Sequence, residues 1–393
     1  MNNIFSDRIS DVPKSFIREI LKVAIDPSVI SFAGGLPNRD LFPIAEIQKA
    51  TQRVFETAGK ESLQYSNSEG YLALRQYLVD RYQEKQGITF TTDNILITNG
   101  SQQGLDLLAK AFLNEGDDVI IEEPGYLGAI QAFSVYRSVF NPVPINEEGL
   151  DIEALKQVLK TKLPKLLYGV PNYQNPSGIS YSKQNRRGIA EALASTTTLV
   201  IEDDPYGDLN FSGIRRPSFK TMIPEQSVLL GSFSKTIAPS FRIGWIIATD
   251  SIMEKLLVAK QASDLHTGYF VQRIIHEYLV HNDFDEHIKQ IVKTYGSQCA
   301  AMIRSIQTYF PSTVGYTKPD GGMFLWATLP AGISSMALFD LAIKDKVAFV
   351  PGDPFYTNKK QTNTLRLNFS CVDEQTIDVG IERLGLAMKK LLE

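Results

Sequence analysis

From about residue 45 to 290, short apolar runs alternate with longer stretches of helical spacing, and few folds satisfy that pattern. NILITNG leads into SQQGLDLLAKAFL, DVIIEEPG into YLGAIQAFSVY, KLLYGVPN into NRRGIAEALAS, and TLVIEDD and SVLLGSFS follow. Strands that are apolar on both faces must be covered on both faces. The alternation therefore predicts βαβ units building an α/β fold, a largely parallel sheet with helices on either side. In such sheets the carboxyl ends of the strands carry the site. Ser101 and Gln102, Asn175, Asp203 and the stretch Ser232 to Lys235 all fall at such ends.

Beyond about residue 290 the alternation stops. A long amphipathic helix over DEHIKQIVKTYGSQCAAMIRSIQTYF precedes GGMFLWATLP, VAFVPGDPFY, TLRLNFS and a last helix, which predicts a smaller α+β domain. The first 45 residues, with SFAGGLPNRDLFP, read as an irregular arm. The expected organisation is an arm and part of the small domain over 1–45, a large domain over 46–290 and a small domain over 291–393. With 43% hydrophobic residues in 393, there is material for both cores.

A formal net charge of -4 gives no basic field for a polyanion, so nucleic acid is not expected as a partner. No apolar run approaches the roughly 20 residues of a membrane span, and MNNIFSDRISDVPKSF lacks the apolar centre of a secretion signal. A cytoplasmic protein without membrane contact is expected. Cys299 and Cys371 are the two cysteines, far apart and outside metal spacing. They predict buried thiols rather than a disulfide framework, and the four histidines show no ligand pattern, so no metal is expected.

LLGSFSKTIAPSFRIGW, residues 229–245, sets Lys235 close behind Ser232 and Ser234, with Arg242 seven positions on. One reading is a wet surface loop. The other is a lysine whose amine works beside a bound phosphate, since hydroxyls and a guanidinium suit an anion. A free lysine amine, with a pKa of about 10.4, is almost wholly protonated at neutrality, so such chemistry needs a perturbed setting. ITNGSQQGLDLL turns a strand directly into a helix, whose first N–H groups can hold an anion beside Ser101 and Gln102; alternatively Ser101 merely caps the helix. LVIEDDPYGDL ends a buried strand in acids. Asp203 can hold a proton on a heterocyclic nitrogen; a metal ligand and a helix-start acid are the competing readings, and the last suits Asp204 better.

With QNPSG the set becomes specific. SQQGLDL, EEPGYLGAIQAF, QNPSG, IEDDPYGDL, GSFSKTIAPSFRIGW and TLRLNFS, in this order, resemble the class I/II pyridoxal-phosphate aminotransferases of fold type I over nearly the whole chain. The resemblance implies a large domain on a mainly parallel seven-stranded sheet, pyridoxal 5'-phosphate as cofactor, and a homodimer with shared active sites. It implies transfer of an amino group to 2-oxoglutarate by a ping-pong cycle. By resemblance, Lys235 would carry the cofactor covalently and shuttle the substrate Cα proton, and Asp203 would pair with the ring nitrogen. Tyr206 and Asn175 would bond the ring oxygen, and Tyr126 would stack on the ring. Ser101, Gln102, Ser232, Ser234 and Arg242 would hold the phosphate, with Tyr65 reaching the neighbouring subunit's phosphate, and Arg366 would fork the substrate α-carboxylate.

FIREILK, SFAGGLPNRDLFP, LQYSNSEGY, GAIQAF, SDLHT, GGMFLW and VAFVPG look most like the 2-aminoadipate and kynurenine aminotransferases. That subgroup implies Arg18 against a distal carboxylate and Gly35 beside the substrate. Phe16 stands where a small or polar residue is expected, which favours bulkier apolar or aromatic substrates. Phe324 and Trp326 read as core strand residues. A β-lyase or decarboxylase on the same fold, or a cofactor-binding regulator without its DNA-binding domain, are the alternatives.

Overall fold

The computed structural model describes residues 4–10, 12, 26–358 and 361–393. Its largest sheet has the strand order Ile95–Asn99, Ile243–Ile247, Ser227–Ser232, Leu199–Asp203, Leu166–Gly169, Asp118–Glu123, Val139–Asn146, Gly149–Leu150. The expected seven strands are thus joined by an eighth, the two-residue Gly149–Leu150. It folds back antiparallel on the end of its neighbour, with Asn146 opposite Gly149, and is too short to register as an apolar run.

Neighbours from Val139–Asn146 through to Ser227–Ser232 are parallel. Ile243–Ile247 is antiparallel to both of its neighbours. Only residues 233–242 separate it from Ser227–Ser232, less than a parallel crossover needs, so the chain must double back. The tight return carries Lys235 and Arg242.

Alternate residues of the central strands feed opposite cores. Ile95, Ile97 and Leu229 pack with Leu74, Leu78, Ile274 and Ile275 on one face. Leu96 and Leu230 pack on the other, in a core that continues into Met302, Leu325 and Leu365. Each such fully buried aliphatic side chain contributes about 1.5–3 kcal/mol.

The helix Phe284–Tyr309 runs unbroken past residue 291, started by Asp283, whose carboxylate accepts from the Glu286 N–H at 2.9 Å. Its Phe284 and Ile288 belong to the first core, its Tyr295, Met302 and Ile306 to the second. The C-terminal residues form a four-stranded antiparallel sheet in the order Gly315–Tyr316, Phe324–Thr328, Thr364–Asn368, Val350–Pro351. Phe324 and Trp326 are buried in it, as expected of core strand residues.

Ile30–Ser31 pairs in parallel with Val347–Ala348, tying the N-terminal segment to the C-terminal part. Residues 33–35 then run along the open end of the large sheet, where their carbonyls meet Arg366 and Lys235.

Candidate active site

Every parallel strand that delivers a predicted residue does so at its carboxyl end, and the antiparallel strand Ile243–Ile247 delivers Arg242 from its amino end, at the same edge of the sheet. The result is a cleft of about 370 Å³. Gly35, Tyr126, Asn175, Tyr206 and Arg366 line it together with Ser101, Gln102, Asp203, Ser232, Ser234, Lys235 and Arg242. Tyr65 lies elsewhere, 79% exposed, with its ring edge-on to His266. Arg18 and Phe16 lie outside the described residues.

Lys235 Nζ donates to the Gly35 carbonyl at 2.7 Å and has no carboxylate partner among the described residues. Burial pulls the amine down to about 8, and the Arg366 and Arg242 cations add to the fall. Half-buried within the cleft and bonded to the Gly35 carbonyl, this lysine does not suit a wet surface loop.

Asp203 is 1% exposed. Its Oδ2 accepts from the Tyr168 hydroxyl at 2.8 Å, while Oδ1 is buried without a hydrogen-bond partner. Burial pushes the carboxyl up to about 7, Asp204 adds to the rise, and the Tyr168 bond opposes it. Asp204 does not start a helix; it accepts from Asn172 Nδ2 at 2.9 Å and pins the neighbouring loop.

The helix Ser101–Phe112 has Gly100 as its N-cap, at φ +74°, with no side-chain cap bond. Ser101 is therefore not the cap, and the first N–H groups of the helix are left for a ligand. A Cβ at Gly100 would collide with the Arg242 guanidinium. Arg242, itself in the left-handed region at φ +54°, bonds among the described residues only main-chain carbonyls, those of Pro239 at 3.3 Å and Asn99 at 3.2 Å. Ser232 Oγ and Ser234 Oγ bond each other at 2.9 Å beside it. Hydroxyls, uncapped amides and a guanidinium without an acidic partner converge at this end of the cleft.

Arg366 enters from the other side, out of the middle strand Thr364–Asn368. Its Nη1 donates to Asn175 Oδ1 and its Nη2 to the Ala33 carbonyl, each at 2.8 Å. The guanidinium lies 4.4 Å from the Phe324 ring centre and 5.3 Å from that of Phe355, and its Nε is buried and unpaired. Burial lowers it to about 10, so it remains a cation near neutrality. A buried cation with only neutral partners is poised for an anion.

The family profile described as aminotransferase class I and II matches residues 28–384. The chain belongs to the class I and II aminotransferases. This aminotransferase is 40% identical over 385 residues to a 2-aminoadipate transaminase of Thermus thermophilus, covering 97% of this chain and 95% of the relative. It superposes on the kynurenine aminotransferase of Pyrococcus horikoshii, solved with PMP, with a TM-score of 0.96 at 39% identity. It superposes on the alpha-aminoadipate aminotransferase of Thermus thermophilus, solved with N-(5'-phosphopyridoxyl)-L-leucine, with a TM-score of 0.92 at 39% identity. Each superposition covers 99% of this chain and 98% of the other.

The aminotransferase uses pyridoxal phosphate, and the cleft fits that group. Asp203 Oδ1 is a buried acceptor lacking a donor, as a protonated ring nitrogen would supply, and the hydroxyl-rich end fits a phosphate.

Sequence reading missed Tyr168, the sole hydrogen-bond donor to the Asp203 carboxylate among the described residues, and Glu122. That buried carboxylate accepts from the Val170 N–H at 2.9 Å, Tyr181 at 2.5 Å and Gln174 at 3.0 Å, and so anchors the loop that carries Asn175. Tyr168 sits within a strand read only as an apolar run, and Glu122 opens the family stretch EEPGYLGAIQAF without a role assigned to it. Of the two thiols, Cys299 is buried as expected, while Cys371 is only half-buried, and both are free. Among the described residues no helix is long and apolar enough to cross a membrane, and no group of three His, Cys, Asp or Glu could hold a metal ion.

Proposed function

We propose that the protein transfers the amino group of 2-aminoadipate, or of a broader set including leucine and aromatic amino acids, to 2-oxoglutarate, in two half-reactions of a ping-pong cycle. The observation that carries the reading is a lysine amine of lowered pKa in one cleft with an unpaired buried carboxylate oxygen and a buried arginine that lacks an acidic partner. The names of the similar proteins support the donor range.

Bound pyridoxal phosphate supplies an aldehyde that condenses with amines and a ring that withdraws electrons. Ser101, Gln102, Ser232, Ser234 and Arg242 bind its phosphate, Asp203 its ring nitrogen, Tyr206 and Asn175 its ring oxygen, and Tyr126 covers its face. Arg366 forks the α-carboxylate of the amino acid and so fixes which Cα bond faces Lys235. The Lys235 amine would take the proton from the substrate Cα and deliver it to the aldehyde carbon of the bound group rather than back to Cα. Gly35 lies beside Arg366 at the substrate end of the cleft, its carbonyl bonded by Lys235. Arg18 contacts the distal carboxylate of acidic donors.

The reading includes a large domain over 46–290, a small one over 291–393 and the arm over 1–45. It also includes a homodimer in which Tyr65 serves the partner's phosphate; the exposure of that ring supports this part. Two free thiols support a reducing, cytoplasmic setting.

The test adds 2-aminoadipate, glutamate, leucine, kynurenine or phenylalanine in turn to the purified protein while the visible band of its bound cofactor is followed. Bleaching by a donor and return with 2-oxoglutarate is the expected result. A band that no donor bleaches, or that persists in Lys235→Ala, would overturn the reading.

A further inference from the structure

Among the described residues the Asp203 carboxylate receives one hydrogen bond, and it comes from a residue outside every motif that identifies the family site. Tyr168 is fully buried in Leu166–Gly169, its ring edge-on to Phe133 at 5.9 Å. Parallel pairing places it opposite Ile201, so Asp203, two residues further along, shares its face of the sheet. The phenol therefore reaches Oδ2 and leaves Oδ1 without a partner.

We propose that Tyr168 is a positioning residue for the cofactor's ring nitrogen: its hydroxyl ties down one oxygen of Asp203, reserves the other for the ring N–H, and keeps the carboxylate charged. The inference rests on the pyridoxal-phosphate reading of the cleft.

The surroundings leave this task to Tyr168. The groups that face Asp203 are Asp204 beside it in the chain, Glu122 from Asp118–Glu123, and the hydroxyls of Tyr126 and Tyr206. None is a cation. Lys235, Arg242 and Arg366 share the cleft but do not bond the carboxylate. Burial and Asp204 both push Asp203 toward its neutral form, and the Tyr168 bond opposes them. A neutral Asp203 would cease to hold a proton on a weakly basic ring nitrogen, and the ring would withdraw electrons less strongly.

The test loads the protein with pyridoxal phosphate labelled with ¹⁵N in the ring and follows that nucleus by NMR across pH, in the resting holoenzyme without substrate. In the wild type the ring nitrogen should stay protonated throughout the stable range. Tyr168→Phe keeps the ring that packs on Phe133 and removes only the hydroxyl. It should release the ring-nitrogen proton at lower pH and lower kcat about ten- to a hundredfold, the scale of one hydrogen bond to a charged group, with KM little changed. A titration and kcat equal to the wild type's would overturn the proposal. Should Tyr168→Phe not fold, 3-fluorotyrosine at position 168 keeps the shape and strengthens the donor. It should displace the ring-nitrogen signal, and an unmoved signal would overturn the proposal equally. A wild type that binds no pyridoxal phosphate, or binds it with an unprotonated ring, would instead sink the reading of the cleft, and this inference with it.

Discussion

Arg366 Nη1 donates to Asn175 Oδ1 across 2.8 Å, which joins the middle strand of the C-terminal sheet to the loop that leaves Leu166–Gly169. The same Asn175 lies with its Nδ2 3.5 Å from the Tyr206 hydroxyl. One amide thus sits between the group assigned to the substrate carboxylate and a group assigned to the cofactor ring. Any shift of the C-terminal sheet against the large one is felt at both.

Arg366→Lys should raise KM for amino donors by about ten- to a hundredfold and change kcat less. Lysine keeps the charge but not the planar fork, and a charged hydrogen bond is worth roughly 1.5–3 kcal/mol. Steady-state kinetics with two donors of different side chain checks this; a donor-dependent loss would place Arg366 against the side chain instead.

The Lys235 amine, at about 8, should set the pH dependence of cofactor capture by the cofactor-free protein. The capture rate should climb to about pH 8 and then level, instead of climbing toward the 10.5 of an ordinary lysine. The linkage has a definite sign. Between those two values the unfolded chain still holds a proton that the folded chain has released, so on this account stability rises with pH. Stopped-flow capture and urea unfolding across that window give both curves.

Glu122 gives the opposite sign at lower pH. Burial raises its carboxyl from 4.5 to about 7 despite three hydrogen bonds. Between those values the folded chain keeps a proton that the unfolded chain has lost, so its contribution is full below pH 4.5 and is lost as pH rises through 7. The urea midpoint of the cofactor-free protein should fall across this window, and fall less in Glu122→Gln. That variant should also lose about 1–3 kcal/mol at low pH, because an amide cannot accept from all three donors.

Gly100→Ala should weaken pyridoxal-phosphate binding and lower stability by roughly 1–3 kcal/mol. The residue is held at φ +74°, and its new methyl would push the Arg242 guanidinium away from the amides of Ser101–Phe112. Equilibrium dialysis of the cofactor and a thermal melt separate the two effects. Ser101→Ala should cost little stability, since Ser101 caps nothing.

The sequence showed where a residue would lie along a strand far better than what it would touch. Ser101, Asp203 and Lys235 were legible because each sits where an apolar run turns polar, and a parallel sheet gathers such ends at one edge. Tyr168 was not, because it lies inside an apolar run, and Glu122, though it stands where a run turns polar, carries no sign of what it will touch. Their partners, 35 residues away for Tyr168 and 48 to 59 for Glu122, depend on a strand order and register that the apolar pattern leaves open. The antiparallel run of Ile243–Ile247 follows from the short return of residues 233–242, a constraint of chain length rather than of residue type.

Tyr65 offers the sharpest test of a shared site. It stands 79% exposed, outside the cleft of its own chain. If it serves the partner's phosphate, Lys235→Ala and Tyr65→Ala subunits should complement each other. In a hybrid dimer, the site with Lys235 receives Tyr65 from the other chain and is whole, while its twin carries both defects. Random reassortment makes half the dimers hybrid, each with one good site, so roughly a quarter of wild-type activity should appear above the residual activity of the parents. Were Tyr65 to act within its own chain, every site would keep one defect and mixing would add nothing. Unfolding and refolding the two variants together, then assaying against each alone, decides between these outcomes.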